Sequence, residues 1–509
     1  MLAHVTTFAI QGVESRRVTV EVDVRAGLPN FTIVGLGDRA VREARERVRA
    51  AILNSGFEFP AKRVTVNLAP AALRKEGPGF DLAIACGVLA AGAQLPVAAL
   101  ERVAVFGELA LGGELRPCRG VLAVAEGTVA ARLPGLVLPA LHAREAGLIG
   151  DLGIYGARDL VEVAAILRGE TDGSPPPRAE PGDAPSPGRS LDLADVRGHG
   201  APQRALTIAA AGGHNLLLAG PPGTGKTMLA QRLPSILPPL SRAEAIEVTR
   251  IAGVAGRRPG AGLVAERPFR APHHTISAAG LVGGGGIPTP GEATLAHHGV
   301  LFLDELAEFS RSALEALRQP LEDGRVAIVR GQRRAVFPAR FMLVASTNPC
   351  PCGYAGSPRC RCGEADIARY RRRLSGPLLD RMDLLVDVQR PTPGDFTAGP
   401  VSSSAEVRET VRGARERQAA RLAGTGVSCN AHLDAALVRR HVALDAQGAA
   451  ILRRAYDRGT LSPRGHDRVL RVACTIADLS DQATVGAEHL LEALGLRQDL
   501  SDLRDEEVA

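Results

Sequence analysis

The stretch HNLLLAGPPGTGKTMLAQRL, residues 214–233, decides the fold of the larger part of the chain. It predicts an apolar strand, then a glycine-rich loop, then a helix. The backbone amides of such a loop wrap phosphate oxygens at a helix N-terminus, where the helix dipole favours negative charge. We therefore predict a phosphate-binding loop for ATP. The predicted nucleotide-binding residues of this loop are Gly220, Pro221, Pro222, Gly223, Thr224, Gly225, Lys226, Thr227 and Met228.

Lysine is rare in this chain, which makes the lysine of the loop informative. The three lysines are Lys62, Lys75 and Lys226, and arginine supplies almost all the remaining positive charge. We expect Lys226 to reach the β and γ phosphates of ATP, while the Thr227 hydroxyl becomes a magnesium ligand. The glycines allow the backbone to approach the phosphates closely.

Two later strands are predicted to bring polar groups to the same edge of the sheet. GVLFLDE, residues 299–305, ends in Asp304, a predicted magnesium ligand, and Glu305, the predicted base or orienting group for the attacking water. An exposed acidic strand end is the alternative interpretation. The next strand, RFMLVASTNP at 340–349, ends near Asn348, whose amide is predicted to hold the same water.

Bulk composition limits the class of protein. The chain has 509 residues, of which 45% are apolar and 23% charged, and this balance excludes disordered and fibrous chains. No secretion signal or membrane-spanning run is evident, so we expect a cytoplasmic protein with reduced thiols and no membrane partner. A net charge of +6 fits a nucleic-acid partner but is weak support by itself.

Sequence patterns divide the chain into four predicted parts. Residues 1–170 mix strand and helix patterns, and residues 171–190 are rich in proline and glycine, as in a flexible linker. Residues 191–395 alternate apolar strands with helices, which indicates a parallel sheet. Residues 396–509 follow a helical pattern throughout. We therefore predict an α/β chain that closes with a small helical domain.

Several motifs together resemble the magnesium-chelatase-like AAA+ ATPases of the ComM (YifB) group. The segments that carry this resemblance are GHGAPQRALTIAAAGGHNLLLAGPPGTGKT at 198–227, FRAPHHTISAAGLVGGGG at 269–286, GVLFLDELAEF at 299–309 and RYRRRLSGPLLDRMDLLVDV at 369–388. The resemblance covers nearly the whole chain. It implies an AAA+ ATPase core, a C-terminal helical lid, and a hexameric ring that binds ATP between neighbouring subunits.

The resemblance also assigns two arginines. It implies that Arg381, in LLDRMDL, is an arginine finger that completes the adjacent subunit's site, and that Arg464, in LSPRGHDR, is the sensor-2 arginine. Without the resemblance, a salt-bridged surface arginine would be the simpler interpretation of either residue.

The first part of the chain resembles the ribosomal-S5-like fold of the Lon protease domain. The resemblance rests on LRKEGPGFDLAIACGVLAA at 73–91 and FGELALGGELRPCRG at 106–120. A Lon-type protease needs a serine nucleophile, yet the matching segment offers Gly79, Phe80 and Asp81, none of which has a hydroxyl. We therefore expect a non-proteolytic structural or partner-binding domain.

A candidate DNA-binding hairpin lies between the carboxylate strand and the Asn348 strand. GRVAIVRGQRRAVFPAR, residues 324–340, alternates as two strands around a Gly-Gln turn, with Arg330, Arg333 and Arg334 near the tip. Clustered arginines suit phosphate backbones, and in related helicases this hairpin enters the pore of the ring. A solvated charged hairpin without a ligand is the alternative.

Four cysteines follow Asn348 as two C-x-C pairs, Cys350 with Cys352 and Cys360 with Cys362. Four thiolates are enough for a closed tetrahedral zinc site, although the pairs are tighter than the common C-x-x-C pattern. Free or redox-sensitive thiols are the alternative. We expect the remaining cysteines to be packing residues.

Taken together, these features predict an ATP-driven hexameric DNA translocase. The resemblance implies a helicase that promotes branch migration when incoming single-stranded DNA recombines during natural transformation. The implied partners are single-stranded and branched DNA, further copies of the chain, and recombination proteins. The implied cofactors are ATP and Mg²⁺, with structural Zn²⁺ in the cysteine loop. A chelatase-type ATPase that remodels a metal-insertion partner and an ATP-dependent scaffold or chaperone remain as alternatives.

Overall fold

The computed structural model describes residues 1–35, 37, 39–173, 191–257, 262–286, 288–331, 333–374, 376–397, 402–457 and 461–502. Contacts among the residues divide the chain into two units, the first made of 1–185 with 242–264 and the second of 186–241 with 265–509. Most of the predicted linker at 171–190 lies outside the described residues. The four-part division drawn from the sequence remains a prediction.

Strands and helices alternate in residues 1–173. The strands are β1 Leu2–Gln11, β2 Glu14–Arg25, β3 Asn30–Val34, β4 Arg63–Ala69, β5 Val103–Val105, β6 Glu108–Leu109, β7 Leu115–Arg116, β8 Gly135–Pro139 and β9 Gly153–Ala157. The helices are α1 Arg39–Asn54, α2 Asp81–Ala91, α3 Val97–Glu101, α4 Val121–Ala130, α5 Ala143–Ala146 and α6 Leu160–Arg168.

The first unit is built on a mixed sheet of seven strands in the order β3-β4-β2-β1-β5-β8-β9. The alternation in β2 places Val18, Val20 and Val22 inward, and all three are fully buried. Helix α2 is buried along its whole length. A Cβ atom at Gly87 would lie 2.5 Å from Val22 Cγ2, so glycine allows this helix to lie close to the sheet.

The next part of the chain, residues 191–397, also mixes strands and helices. Its strands are β10 Leu216–Ala219, β11 Phe269–Arg270, β12 Gly283–Gly284, β13 Thr289–Pro290, β14 Val300–Leu303, β15 Arg325–Arg330, β16 Arg333–Pro338, β17 Met342–Thr347 and β18 Leu384–Asp387. Its helices are α7 Gly200–Gly212, α8 Lys226–Ile236, α9 Arg242–Val254, α10 Ala278–Val282, α11 Glu292–Leu295, α12 Arg311–Ala316, α13 Arg318–Asp323, α14 Glu364–Arg371, α15 Gly376–Leu379 and α16 Pro393–Thr397. Helix α9 belongs to the first unit, in which Arg250 pairs with Glu126 at 2.8 Å.

The core of the second unit is a parallel sheet of five strands in the order β11-β14-β17-β10-β18. Its central strands are apolar because helices cover both faces of such a sheet. In a parallel sheet all strands end at the same edge. The phosphate loop after β10, Asp304 after β14 and Asn348 after β17 therefore meet at this carboxyl edge.

Beyond residue 401 the described chain is helical, as the sequence predicts. The helices are α17 Ser404–Arg421, α18 Ala435–His441, α19 Ala446–Asp457, α20 Pro463–Leu479 and α21 Ala487–Asp502. Helix α17 begins with a capping box formed by Ser403 and Glu406. The predicted α/β class with a C-terminal helical domain is confirmed. Within the described residues, no helix combines the length and apolar character needed to cross a bilayer.

Candidate nucleotide site and its neighbours

The phosphate loop is a backbone structure that requires glycine. Gly220, Gly223 and Gly225 have φ angles of 152°, 76° and 89°, values that side chains disfavour. The Gly220 amide donates to the Thr347 carbonyl at 3.2 Å, and a Cβ atom at Gly220 would lie 2.4 Å from the Val388 carbonyl oxygen. The loop therefore leaves β10 tightly held between its two neighbouring strands.

The Lys226 ammonium group lies inside this loop. The side chain is nearly buried, and Nζ donates to the carbonyls of Gly220 at 2.6 Å and Pro221 at 2.8 Å. It also lies 3.2 Å from Oδ1 of Asn348, so the predicted sensor amide is in the site. Burial lowers the pKa of Lys226, and the negative charge of Asp304 opposes that shift.

The two predicted magnesium ligands are in contact. Thr227 Oγ1 donates to Oδ2 of Asp304 at 2.8 Å, and the Ser346 hydroxyl donates to the other carboxylate oxygen. Hydroxyl and carboxylate oxygens are hard ligands of the kind Mg²⁺ prefers, so the donor set fits this ion. Magnesium bound together with ATP would neutralise negative charge on the β and γ phosphates. The sequence pattern predicts no separate role for Ser346.

Glu305 occupies a strained position directly after Asp304. Its φ and ψ angles of 53° and 54° are left-handed, which costs a side chain of this type about 1–3 kcal/mol. The Glu305 amide donates to Ser346 Oγ at 3.1 Å, which holds the turn in place. The Glu305 side chain is exposed at the carboxyl edge of the sheet. At this position its carboxylate can contact a water molecule next to bound ATP.

The remaining loop residues shape the surroundings of the phosphates. The Thr224 hydroxyl donates to the Pro221 carbonyl at 2.9 Å, and Met228 packs against the apolar core. His199 is nearly buried, and its ring lies 3.5 Å from the position of a Cβ atom on Gly225. Burial lowers the pKa of His199, which favours a neutral ring beside the loop. No sequence pattern predicts that His199 lies beside the phosphate loop.

Arg381 and Arg464 lie together, but at the other edge of the sheet. Both line a cavity of about 560 Å³ next to Asn215 and Asp383, residues that precede β10 and β18. A four-residue strand spans about 13 Å, so the strands separate this cavity from the phosphate loop of the same chain. The two predicted arginines are thus neighbours of one another and not of Lys226.

Arg468 also lines this cavity and was missed by the sequence analysis. It faces Asp383 at 3.8 Å, while Arg381 pairs with Glu322. Burial lowers the pKa of Arg381 and Arg468, and the nearby positive charge of Arg464 adds to both shifts. The cavity lining therefore combines these three arginines with acidic side chains, among them Glu322 and Asp383.

The predicted hairpin forms between β15 and β16. Their register places Arg330 opposite Arg333, and Gly331 has a φ angle of 57° in the turn. Gln332 of the predicted turn lies outside the described residues. The side chains of Arg330 and Arg334 are exposed, as is Val329 with 64% of its surface accessible. The hairpin therefore presents positive charge next to an exposed apolar side chain.

The four clustered cysteines converge. The Sγ atom of Cys350 lies 3.4 Å from that of Cys352 and 3.9 Å from that of Cys360, and Cys352 and Cys360 are 3.7 Å apart. All four sulfur atoms, including that of Cys362, lie within 4.8 Å of one another. None forms a disulfide. The Ala355 amide donates to the Cys350 sulfur at 3.2 Å.

Cys429 is buried, as expected of a packing residue, and it also contacts a histidine. Its sulfur lies 3.2 Å from Nδ1 of His432. Burial by itself raises the pKa of the Cys429 thiol. The positive charges of His432 and Arg415 outweigh this effect and lower the pKa to about 5. Its spacing from His432, C-x-x-H, was the signal available in the sequence.

The Lon-like segment of the first unit is packed and holds no hydroxyl at the compared positions. A Cβ atom at Gly79 would lie 2.6 Å from the Phe106 ring, and Phe80 is buried. Asp81 is fully buried and accepts two hydrogen bonds from Arg47, at 2.8 and 3.0 Å. Burial raises the pKa of Asp81 to about 6, against the opposing effect of Arg47. The non-proteolytic role remains a prediction.

Comparisons with known proteins match most of the chain to a single family. The family models described as "Subunit ChlI of Mg-chelatase", "Magnesium chelatase, subunit ChlI" and "Magnesium chelatase, subunit ChlI C-terminal" match residues 20–142, 192–396 and 401–497. The competence protein ComM of Haemophilus influenzae is 45% identical over 500 residues, which cover 97% of each chain.

Two further relatives also match this chain over nearly their whole length. The uncharacterised protein YifB of Escherichia coli is 45% identical over 499 residues, or 97% of each chain. An uncharacterised protein of Mycobacterium tuberculosis is 45% identical over 499 residues, which cover 98% of this chain and 99% of the relative. The chain therefore belongs to the magnesium-chelatase-like AAA+ ATPases of the ComM and YifB family.

Proposed function

We propose that this ATPase is a homohexameric DNA translocase that promotes branch migration when incoming single-stranded DNA recombines during natural transformation. The observation that supports the proposal is the separation of the predicted site residues into two groups, which we take as the two halves of a site shared between subunits. One edge of the parallel sheet holds Lys226, Asp304 and Glu305, and the other holds Arg381 and Arg464. The name of a relative of 45% identity, competence protein ComM, supports the biological setting.

The two halves favour a ring of identical subunits. A chain with phosphate-binding groups at one edge and arginines at the other can supply its arginines to the nucleotide site of one neighbour. Its own nucleotide site then receives the arginines of the other neighbour. Head-to-tail contacts of this kind close into rings when the rotation allows it. Hydrolysis would then change the contact between subunits, because Arg381 and Arg464 would lose the γ-phosphate that they face.

The residues of one chain have separate roles in hydrolysis. The Lys226 ammonium, which donates to two carbonyls of its own loop, would donate to phosphate oxygens of bound ATP. Asn348 and Glu305 would hold the attacking water in line with the γ-phosphate, with the Glu305 carboxylate accepting its proton. Arg381 and Arg464 of a neighbouring copy would stabilise the charge that develops during transfer.

The hairpin of β15 and β16 is the proposed DNA contact. Replacing Arg330, Arg333 and Arg334 together by alanine should weaken DNA affinity and lower the salt slope by about 2–3, since each phosphate contact contributes about 0.7–0.9. The control is the pair Arg439→Ala and Arg440→Ala, exposed arginines on helix α18. Unchanged DNA binding in the triple variant would reject this hairpin as the contact.

The four-cysteine loop is the proposed site of a structural zinc ion. A tetrahedral site with Zn–S bonds of about 2.3 Å needs sulfur atoms about 3.8 Å apart. Three of the sulfur separations, 3.4, 3.7 and 3.9 Å, lie close to this value. A disulfide would instead need sulfur atoms about 2.05 Å apart.

Branch migration can be tested directly with a synthetic junction. The wild-type protein should move a labelled four-way or three-strand junction in the presence of ATP, and Glu305→Gln should bind the same junction without moving it. A wild-type protein that hydrolyses ATP but moves no junction would favour the alternatives. One is a chelatase-type ATPase that acts on a partner protein, as the family description "Magnesium chelatase, subunit ChlI" allows. The other is an ATP-dependent scaffold.

A further inference from the structure

The cysteine loop is connected to the phosphate loop at two points. Asn348, two residues before Cys350, places its Oδ1 atom 3.2 Å from the Lys226 ammonium. Gly353, within the cysteine loop, packs directly on Pro222 of the phosphate loop, because a Cβ atom at Gly353 would lie 2.5 Å from Pro222 Cδ. The two loops therefore share a contact surface.

Gly353 is itself held by the cysteine cluster. Its amide donates to the Cys350 carbonyl at 2.9 Å, and its φ angle is 83°. Cys350 is fully buried, and Gly353 follows Cys352 directly, so two of the four sulfur-bearing residues set the position of this glycine. A shift of either cysteine would move the backbone that faces Pro222.

We propose that metal binding by Cys350, Cys352, Cys360 and Cys362 controls ATP binding, because the ion fixes the loop that packs against Pro222. The inference rests on the nucleotide site and the zinc site of the proposed function and not on its DNA part. A soft, thiophilic ion such as Zn²⁺ suits four thiolates. Without the ion, four sulfur atoms in such close contact lose the charge that holds them together, and the loop relaxes.

Relaxation of the cysteine loop changes the phosphate loop through both connections. Pro222 loses the surface it packs on, and Asn348 no longer stays at a fixed distance from Lys226. Displacements of about 1 Å among groups that position a substrate can change the reaction rate by about a hundredfold. We therefore expect loss of the metal to weaken ATP binding by at least about tenfold, while the fold of the first unit stays intact.

The test uses the full-length protein and measures the bound zinc separately from ATP binding. Zinc is measured by mass spectrometry after gel filtration, removed with 1,10-phenanthroline, and then added back as ZnCl₂. ATP affinity is measured at each stage with a fluorescent ATP analogue in excess Mg²⁺, after the chelator has been removed. We expect bound zinc, weaker ATP binding after its removal, and recovery after its return.

Two glycine variants separate the contact from general damage to the loop. Gly353→Ala should retain zinc but weaken ATP binding, because the new methyl group meets Pro222. Gly356→Ala is the matched control, since Gly356 has a similar φ angle of 80° but nothing within 4 Å of a Cβ atom. This control should bind zinc and ATP as the wild type does.

Three results would overturn the proposal: no zinc after exposure to ZnCl₂, unchanged ATP affinity after zinc removal, or the same ATP affinity for both glycine variants. A zinc-loaded wild type that binds no ATP would instead refute the assigned nucleotide site, and the proposed coupling with it. Failure of junction movement alone would leave this inference standing, because neither of its readouts uses DNA.

Discussion

Replacing Lys226 by methionine should abolish ATP binding while leaving the nucleotide-free protein folded. The ammonium donates to two carbonyls and lies beside the Asn348 amide, and hydrogen bonds from a charged donor contribute about 1.5–3 kcal/mol each. Burial of the charge offsets most of this gain, as the lowered pKa of Lys226 indicates. We expect a net change in unfolding free energy within about 1 kcal/mol, or about 2 °C in melting temperature.

The assay is thermal unfolding with and without Mg-ATP. At an ATP concentration of 100 times Kd, binding stabilises the folded wild type by about 2.7 kcal/mol, which raises the melting temperature of the ATPase unit by about 4 °C. Lys226→Met should lose this shift. Lys62→Met, at an exposed lysine of the first unit, is the control and should keep it. An undiminished ATP shift in Lys226→Met would refute the assigned role of this lysine.

Three further predictions concern the catalytic carboxylate, the shared site and the first unit. Glu305→Gln should retain ATP binding but release phosphate at least about 100-fold more slowly, and normal turnover would exclude it as the base. Mixing inactive Arg381→Ala with inactive Lys226→Met should restore some hydrolysis, because each supplies the half-site that the other lacks. No recovery would argue against a shared site. For Asp81, a folded-state pKa of about 6 lies above its unfolded value of about 4, so its contribution to stability is complete below pH 4 and is lost as pH rises through 6. The free energy of unfolding, measured against pH, should fall by about 3 kcal/mol over this range. Asp81→Asn should show a flatter dependence on pH. The same pH dependence in wild type and Asp81→Asn would contradict the raised pKa.

The phosphate loop and the carboxylates could be predicted from the sequence because they are local. A strand, a glycine loop and a helix follow one another within residues 214–233, and the chemistry of the loop depends on its own backbone. Asp304 and Asn348 follow apolar strands, so a parallel sheet brings them to the same edge without further information. The distances from Lys226 to Asn348 and from Thr227 to Asp304 agree with that reasoning.

The arrangement of distant segments could not be predicted in this way. Arg381 and Arg464 are far apart in sequence, and only the packing of the helical domain places them around one cavity with Arg468. Helix α9 has an amphipathic pattern that does not say which unit it joins, and its contacts place it in the first. The packing of Gly353 on Pro222 likewise depends on a loop whose course no periodicity describes.

The measurement that tests the central claim most directly is ATP hydrolysis by the purified full-length protein, with and without single-stranded and branched DNA, at two salt concentrations. Lys226→Met provides the background rate. The account predicts hydrolysis that DNA stimulates, with a stimulation that falls as salt rises, because arginine contacts to phosphates release counterions. Robust hydrolysis at a rate that DNA does not change at either salt concentration would contradict the translocase function and favour a chelatase-type or scaffold ATPase.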